Sequence, residues 1–398
     1  MRWRTGGGTC EAQCEVWMTK IRLLFKMGFV YHKAAFDPII ELFRQDERYD
    51  VYFSLEEERI RRFFVNVRYR TPLIAEWEEQ GYRFTKEKRG FDIVIVGDTI
   101  RNAEEYGNAL LCFLNHGTGI KNILYRNLAQ HPEDRYHIFV EGQYRADRLR
   151  ASGSLHRSAV HLVGLPKLDY IFQGRYNDAA GLLRRWGLDP QKPTVLFAPT
   201  YKPTCLYEVK DAIFEATRDF NLIVKLHHYS WMGRYAPHEQ HRIFERRVRY
   251  CPHSVLLPVT EYNITPYMAA ADTLVSEASS TVFDFLALGK FGVIYDLPCE
   301  RLKHSDGKPL LTEDNGEFLK DAFVHVQSPD QLRDGIERAL HPSAEMRAAA
   351  DRERGYYFYQ LDGQASRRLK EKIEALYAAE RYGVAGQKSV VLGMGDVG

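Results

Sequence analysis

The stretch from Ala271 to Pro298, ADTLVSEASSTVFDFLALGKFGVIYDLP, restricts the fold more than any other part of this sequence. Thr273–Val275 reads as a short buried strand whose end opens onto Glu277, Ser279, Ser280 and Thr281. An apolar-periodic helix follows through Phe283, Phe285, Leu286 and Leu288, Gly289 stops it, and Phe291–Tyr295 reads as a second strand. Strand, hydroxyl-rich turn, helix and strand make half of a doubly wound α/β sheet. Such sheets place ligands at the carboxyl ends of their strands, against the positive ends of helices. Adjacent hydroxyls there suit a phosphate. Ser and Thr are equally ordinary N-caps, so the turn alone decides nothing.

The same alternation runs through the rest of the chain. Strands are expected at Ile21–Phe25, Asp50–Ser54, Phe91–Gly97, Leu110–Leu114, His137–Val140 and Val160–Val163. A second series comprises Thr194–Phe197, Leu222–Val224, Ser254–Leu257, Thr273–Val275 and Gly292–Tyr295. Near-continuous apolar runs such as FDIVIVG are the kind buried on both faces by crossover helices. A loop through Gly28 and His32 leads to a helix Pro38–Arg44, and Gly174–Lys192 connects the halves. Helices Gln331–Leu340 and Ala365–Arg381 close the chain. With 398 residues, two domains are expected, because single cores stop growing near roughly 250–300 residues. The fold class is α/β: two doubly wound Rossmann-type domains facing across a cleft, the GT-B arrangement of many nucleotide-sugar transferases. Boundaries are expected at 18–173 and 174–382, with a disordered leader over 1–17 and a disordered tail over 383–398.

A composition of 45% hydrophobic and 27% charged residues is that of a soluble globular chain, and a net charge of +2 makes no case for nucleic acid. Two basic runs stand out: Arg61-Arg62 with Arg68 and Arg70, and Arg242-Arg246-Arg247-Arg249. They read as solvated helix faces, the other reading being a surface for an anionic acceptor or lipid headgroups. The six cysteines (10, 14, 112, 205, 251 and 299) have no zinc spacing and fit a reduced cytosolic setting. No apolar run approaches the roughly 18–20 residues of a membrane span, and the first residues carry no signal-peptide core.

Three polar groups fall at expected strand ends. Asn115-His116-Gly117-Thr118-Gly119-Ile120-Lys121 follows Leu114, and its glycines permit close backbone approach. His116 is the best general-base candidate, since imidazole titrates near operating pH; a lone histidine can also be merely structural. Lys225-Leu226-His227-His228 follows Val224, and strand alternation puts Lys225 and His227 on one side. A cation beside an imidazole suits a diphosphate; the bland reading is a histidine capping a strand end. Pro199-Thr200-Tyr201 adds another hydroxyl beside the Glu277–Thr281 turn. No GxxxxGK[ST] loop, GxSxG elbow, HExxH or DxD pair occurs, so no protein-held metal is expected. Asp284, inside the helix, is expected to pair or cap.

With these residues in place, the chain resembles the CDP-glycerol glycerophosphotransferase family, the teichoic-acid primases and polymerases. The family's HGT-x-x-K turn is matched by His116-Gly117-Thr118 and Lys121. Its G-x-P-[RK]-x-D run is matched by Gly164-Leu165-Pro166-Lys167-Leu168-Asp169, and A-P-T-[WY] by Ala198 to Tyr201. V-K-L-H-P is matched through Val224-Lys225-Leu226-His227, the block around the paired serines by Ala271 through Phe285, and D-G-x-A-S-x-R from Asp362 through Arg367. Two positions depart: Glu277 replaces an aspartate, and His228 replaces a proline.

The resemblance implies a transferase that binds a CDP-alcohol on the C-terminal domain and an acceptor on the N-terminal one. An acceptor hydroxyl attacks the β-phosphorus and CMP leaves. His116 would be the base. His227, Ser279, Ser280 and Thr281 would hold the diphosphate, with Thr200 and Glu277 at the same donor site. Lys225 would add a point charge, and Gly117, Thr118, Gly119 and Lys121 would support the turn. No tightly bound cofactor is implied; Mg2+ would come, if at all, with the donor. The implied acceptor is a polysaccharide or lipid-linked glycan, which places the protein in the cytoplasm with peripheral contact on the inner membrane face. A GT-B glycosyltransferase or UDP-sugar 2-epimerase-like enzyme is the alternative, and a non-catalytic assembly scaffold a third.

Overall fold

The protein is seen here as a computed structural model. It describes residues 20–56, 58–62, 65–69, 71–97, 103–119, 121, 123–231, 239–303, 307–311 and 318–382. The apolar runs form two parallel six-stranded sheets. The first contains β1 (Ile21–Met27), β2 (Tyr49–Leu55), β5 (Ile93–Val96), β6 (Leu110–Leu114), β7 (His137–Val140) and β8 (Ala159–Leu162), in the order β2-β1-β5-β6-β7-β8. A separate antiparallel hairpin, β3 (Glu58–Arg62) with β4 (Val65–Tyr69), lies between β2 and β5 in sequence. The second contains β9 (Thr194–Phe197), β10 (Asn221–Val224), β11 (Ser254–Leu256), β12 (Thr273–Ser276), β13 (Phe291–Tyr295) and β14 (Val324–Val326), in the order β11-β10-β9-β12-β13-β14.

Alternation along the strands explains why both faces are covered. In the first lobe Leu23, Phe25, Ile93 and Ile95 enter one apolar cluster, while Leu24, Val94 and Val96 enter another. Each sheet therefore needs helices on both sides, and each has a switch point where successive connections leave in opposite directions. These lie between β1 and β5, and between β9 and β12. The crevices they open at the carboxyl ends are where this architecture binds ligands.

Several expectations need correction. The first helix, α1, spans Val30–Arg44 rather than starting at Pro38, so His32 is helical and not in a loop. An internal proline costs a helix about 3 kcal/mol. Burial of Val30, Ala34, Phe36, Ile39, Ile40 and Phe43 offsets that here. The basic run around Arg61 and Arg68 is not a helix face but the hairpin, with Arg59 opposite Arg68 and Arg61 opposite Asn66. Its β-branched and aromatic residues favour strands. The run from Arg242 does lie on a helix, His241–Val248, whose one buried residue is Phe244. The three-residue edge strand β14 carries too little pattern to be read from sequence.

The lobe boundaries also differ. The chain crosses at Gly164, since Val163 packs in the first core while Leu165 and Leu168 pack in the second. Gly164 has φ +92°, and a Cβ there would lie 2.7 Å from the Tyr359 carbonyl oxygen. The terminal helix Ala365–Tyr382 returns, burying Leu369 and Ile373 in the first lobe. The final helix, expected within the second domain, thus packs on the core of the first. The expected leader and tail lie outside the described residues. The described cysteines (Cys112, Cys205, Cys251 and Cys299) are free, and no described helix is long and apolar enough to cross a membrane.

Candidate active site

Three strand ends build the first-lobe half of the site. After β1 the chain runs through Phe29, Tyr31 and His32; after β5 comes Gly97; after β6 comes the turn carrying His116. The Nδ1 of His116 lies 3.0 Å from the Gly97 carbonyl oxygen. A carbonyl only accepts, so Nδ1 carries the proton and Nε2 presents a lone pair. His32 stacks on this ring with centroids 4.2 Å apart. Its own Nδ1 accepts from the Gly28 amide at 3.2 Å. Burial, reinforced by His116 and Lys26, pushes its pKa far below the usual imidazole value and keeps it neutral. A Cβ on Gly97 would come within 2.8 Å of His32 Nδ1, so only glycine admits this packing.

The second-lobe half comes from β9, β10 and β12. Leu226 is buried in the core, which turns Lys225 and His227 to the other side, both partly exposed. His227 Nδ1 accepts from the Tyr229 amide at 3.1 Å, so its proton sits on Nε2, a donor. Burial first, then His228, Lys121, Lys225 and His116, drives its pKa well down. Burial also lowers Lys225, to about 8, against a weak pull from Glu261. Ser279 caps the helix Ser280–Ala287: its Oγ accepts from the Thr281 hydroxyl at 2.9 Å and the Thr281 amide at 3.4 Å, leaving its own proton to donate.

The halves meet. The Tyr31 ring centroid is 5.4 Å from that of His116 and 5.5 Å from that of His227. A Cβ on Gly117 would stand 3.0 Å from Ser280 Oγ, so the histidine turn rests directly on the serine turn. Gly119 lies over Phe283 with φ +141°. Thr118 donates to Asp284 Oδ1 at 3.3 Å, and Lys167 pairs with the other carboxylate oxygen. Asp284 is fully buried and paired through both carboxylate oxygens, as expected of a residue that pairs. Lys121, its pKa lowered by burial, is near enough to act on the charge of His227.

Two residues expected at the donor phosphate bond each other. Glu277, 1% exposed, accepts from the Thr200 amide at 2.8 Å, the Thr200 hydroxyl at 2.7 Å and the Cys205 amide at 3.0 Å. Burial raises its pKa against those bonds. Glu277 and Thr200 therefore shape the loop after β9, and Glu277 is near enough to act on the charge of Lys121. Two of the sequence motifs likewise form a joint: Asp169 accepts from the Ala365 and Ser366 amides at 3.2 and 2.7 Å, capping the terminal helix from afar. Sequence reasoning passed over Phe29, Tyr31 and Tyr229, took Tyr201 only as part of its strand-end motif, and read His32 as loop. The available signal was an aromatic cluster straight after the first strand. Tyr201 and Tyr229 lie 4.6 and 5.5 Å from His227, centroid to centroid. Among the described residues no group of three His, Cys, Asp or Glu side chains is placed to hold a metal ion.

Against known proteins, residues 116–375 match the family model described as CDP-Glycerol:Poly(glycerophosphate) glycerophosphotransferase. No curated protein matches the chain in sequence. Among solved structures, the chain is similar to the wall teichoic acid polymerase TagF, with a TM-score of 0.61 and 15% identity over 91% of this chain and 90% of that one. A histidine-to-asparagine variant of TagF soaked with CDPG gives 0.62 and 14%, with coverages of 91% and 90%. The UDP-GlcNAc 2-epimerase of Neisseria meningitidis bound to UDP-GlcNAc gives 0.56 and 10%, covering 89% of this chain and all (100%) of the other. Identities this low carry the fold alone.

Proposed function

The chain belongs to the CDP-glycerol:poly(glycerophosphate) glycerophosphotransferase family, and from that premise we propose that it moves glycerol phosphate from CDP-glycerol to a hydroxyl of a cell-envelope glycan or lipid-linked acceptor, releasing CMP. One observation carries the reading: two imidazoles from opposite lobes pack against one ring, that of Tyr31, and their backbone partners leave them complementary. His116 offers a lone pair and His227 an N–H.

The transfer follows from that pairing. The acceptor hydroxyl gives its proton to His116 Nε2 while its oxygen forms a bond to the β-phosphorus. The bond from that phosphorus to the bridging oxygen breaks, and the negative charge leaves on CMP. His227 Nε2–H, with the hydroxyls of Ser279 and Ser280, donates to the diphosphate oxygens as that charge grows, while Thr281 donates to Ser279 and so orients its free proton. Lys121, Lys225 and His227 lie close together in a partly enclosed place, where desolvation disfavours each as a cation. A dianionic diphosphate relieves that cost, which a neutral ligand would not. Mg2+, where it takes part, comes with the donor.

The sugar-nucleotide alternative has the fold on its side but lacks the motifs. CMP release measured across CDP-glycerol, CDP-ribitol and UDP-sugars, with soluble and membrane-embedded acceptors, tests the reading. CMP from CDP-glycerol, faster with an envelope acceptor, is the expected result; turnover of a UDP-sugar in its place overturns it.

A further inference from the structure

The first turn of α1 is absorbed by neither the sequence motifs nor the transfer chemistry, yet it supplies a ring that packs against both imidazoles. Tyr31 lies at near-equal distances from His116 and His227, 5.4 and 5.5 Å between centroids, and inclined to both at about the same angle, 60° and 59°. Phe29 stacks on it at 5.2 Å and 9°, and itself meets Tyr229 of the second lobe at 5.6 Å. The ring is thus held from both lobes.

The helix behind it is anchored as well. Lys33, 4% exposed, pairs with Asp37 at 2.5 Å and donates to the Tyr262 hydroxyl of the second lobe at 3.2 Å. Its ammonium sits 4.8, 5.1 and 5.5 Å from the rings of Tyr82, Trp77 and Tyr262. A cation so enclosed cannot slide without losing its ion pair and its ring contacts together. Farther along, Glu41 holds Arg175 at 2.6 Å, just past the interlobe crossing. The helix is a strut whose first turn reaches the reaction gap.

We propose that Tyr31 is a positioning residue that fixes the gap between His116 and His227, so that acceptor oxygen and diphosphate meet at a spacing set by its ring. This rests on the transfer reading above. Displacing reacting groups by an ångström costs on the order of a hundredfold in rate. Removing the spacer therefore lowers kcat more than it raises KM.

The test compares Tyr31→Phe, Tyr31→Leu and Tyr31→Ala with the wild type and His116→Ala in CMP release from CDP-glycerol. Tyr31→Ala should lose roughly thirtyfold in kcat with the donor KM within about threefold, and Tyr31→Phe should stay within about threefold of wild type in both. Tyr31→Leu keeps apolar bulk should the alanine variant fold poorly, and should fall between them. Tyr31→Ala and Tyr31→Leu at wild-type kcat, beside an inactive His116→Ala, overturn the positioning role and leave the transfer reading intact. So does a loss carried by KM alone, or a Tyr31→Phe variant as slow as alanine. A second readout needs no turnover: the imidazole NMR signals of His116 and His227, assigned with single-histidine variants. Both should move in Tyr31→Ala and hold in Tyr31→Phe; signals that stay put in Tyr31→Ala overturn the inference. A wild-type protein that releases no CMP from any CDP-alcohol overturns the transfer reading, and the NMR result then decides the placement alone.

Discussion

The two lobes each bring a histidine to the gap, and the two are not alike. In the first lobe a backbone carbonyl, Gly97 O, faces Nδ1; in the second a backbone amide, Tyr229 N–H, faces the same atom. A carbonyl demands a proton on Nδ1 and an amide forbids one, so the distal nitrogens are left as a base and a donor respectively. Their surroundings differ in the same sense. His116 is packed by the neutral ring of His32, whereas His227 sits within reach of Lys121 and Lys225. One residue type thus takes two roles because the backbone offers it two partners.

If that division is right, the His116 variants suffer most. His116→Ala should lose roughly 10²–10⁴ in kcat, and His116→Gln should do no better, because an amide is no base. Circular dichroism should show both still folded. His227→Ala should lose roughly 10²–10³, the cost of one charge-stabilising donor. His227→Gln, which keeps an N–H near the same place, should recover part of it in the same CMP-release assay. Equal effects for Gln and Ala at both positions would erase the distinction between the lobes.

The contact between the lobes is open to a milder perturbation. Gly117→Ala pushes a methyl against Ser280 Oγ, built at 3.0 Å. Overpacking of that kind costs about 1–3 kcal/mol, and a fall of roughly tenfold in kcat/KM with a lower unfolding midpoint is expected. The cationic side of the second lobe should appear in the pH profile. Lys225, lowered to about 8 by burial, loses its charge as pH climbs through that value. kcat/KM for CDP-glycerol should therefore fall several-fold above about pH 8, and Lys225→Met should flatten that limb at a lower plateau. The gentlest change is Glu277→Asp, which restores the family residue. The shorter carboxylate cannot reach both Thr200 and Cys205, and loss of one such bond costs about 1 kcal/mol in urea unfolding, with activity kept.

Much of the fold was legible from sequence. β6, β7 and β9 match the expected strands residue for residue, because fully buried parallel strands show as unbroken apolar runs with polar residues at their ends. The serine turn, the His116 turn and the Lys225–His227 pair were found for the same reason: each directly follows such a run. What escaped notice has a physical cause in each case. Pro38 hid the first two turns of α1, so Tyr31 and His32 were read as loop. Glu277 looked like a ligand because a carboxylate after a strand gives no sign of whether the amides of a later loop will enclose it. The terminal helix gave its amphipathic stripe but not its address. Leu369 and Ile373 meet the first lobe because Asp169, nearly two hundred residues earlier in the chain, caps the helix and Asp46, Tyr49 and Asp92 bond its side.

Residue order alone thus settled the local periodicities, the strand ends that carry polar groups and the family those groups belong to, all of which depend on neighbours a few positions apart. The folded molecule decided the rest: which nitrogen of each histidine holds the proton, which carboxylates are consumed internally, and that a tyrosine from one lobe packs against imidazoles of both. Those facts depend on atoms brought together across the whole chain, through hydrogen bonds and ring contacts that leave no trace in local pattern.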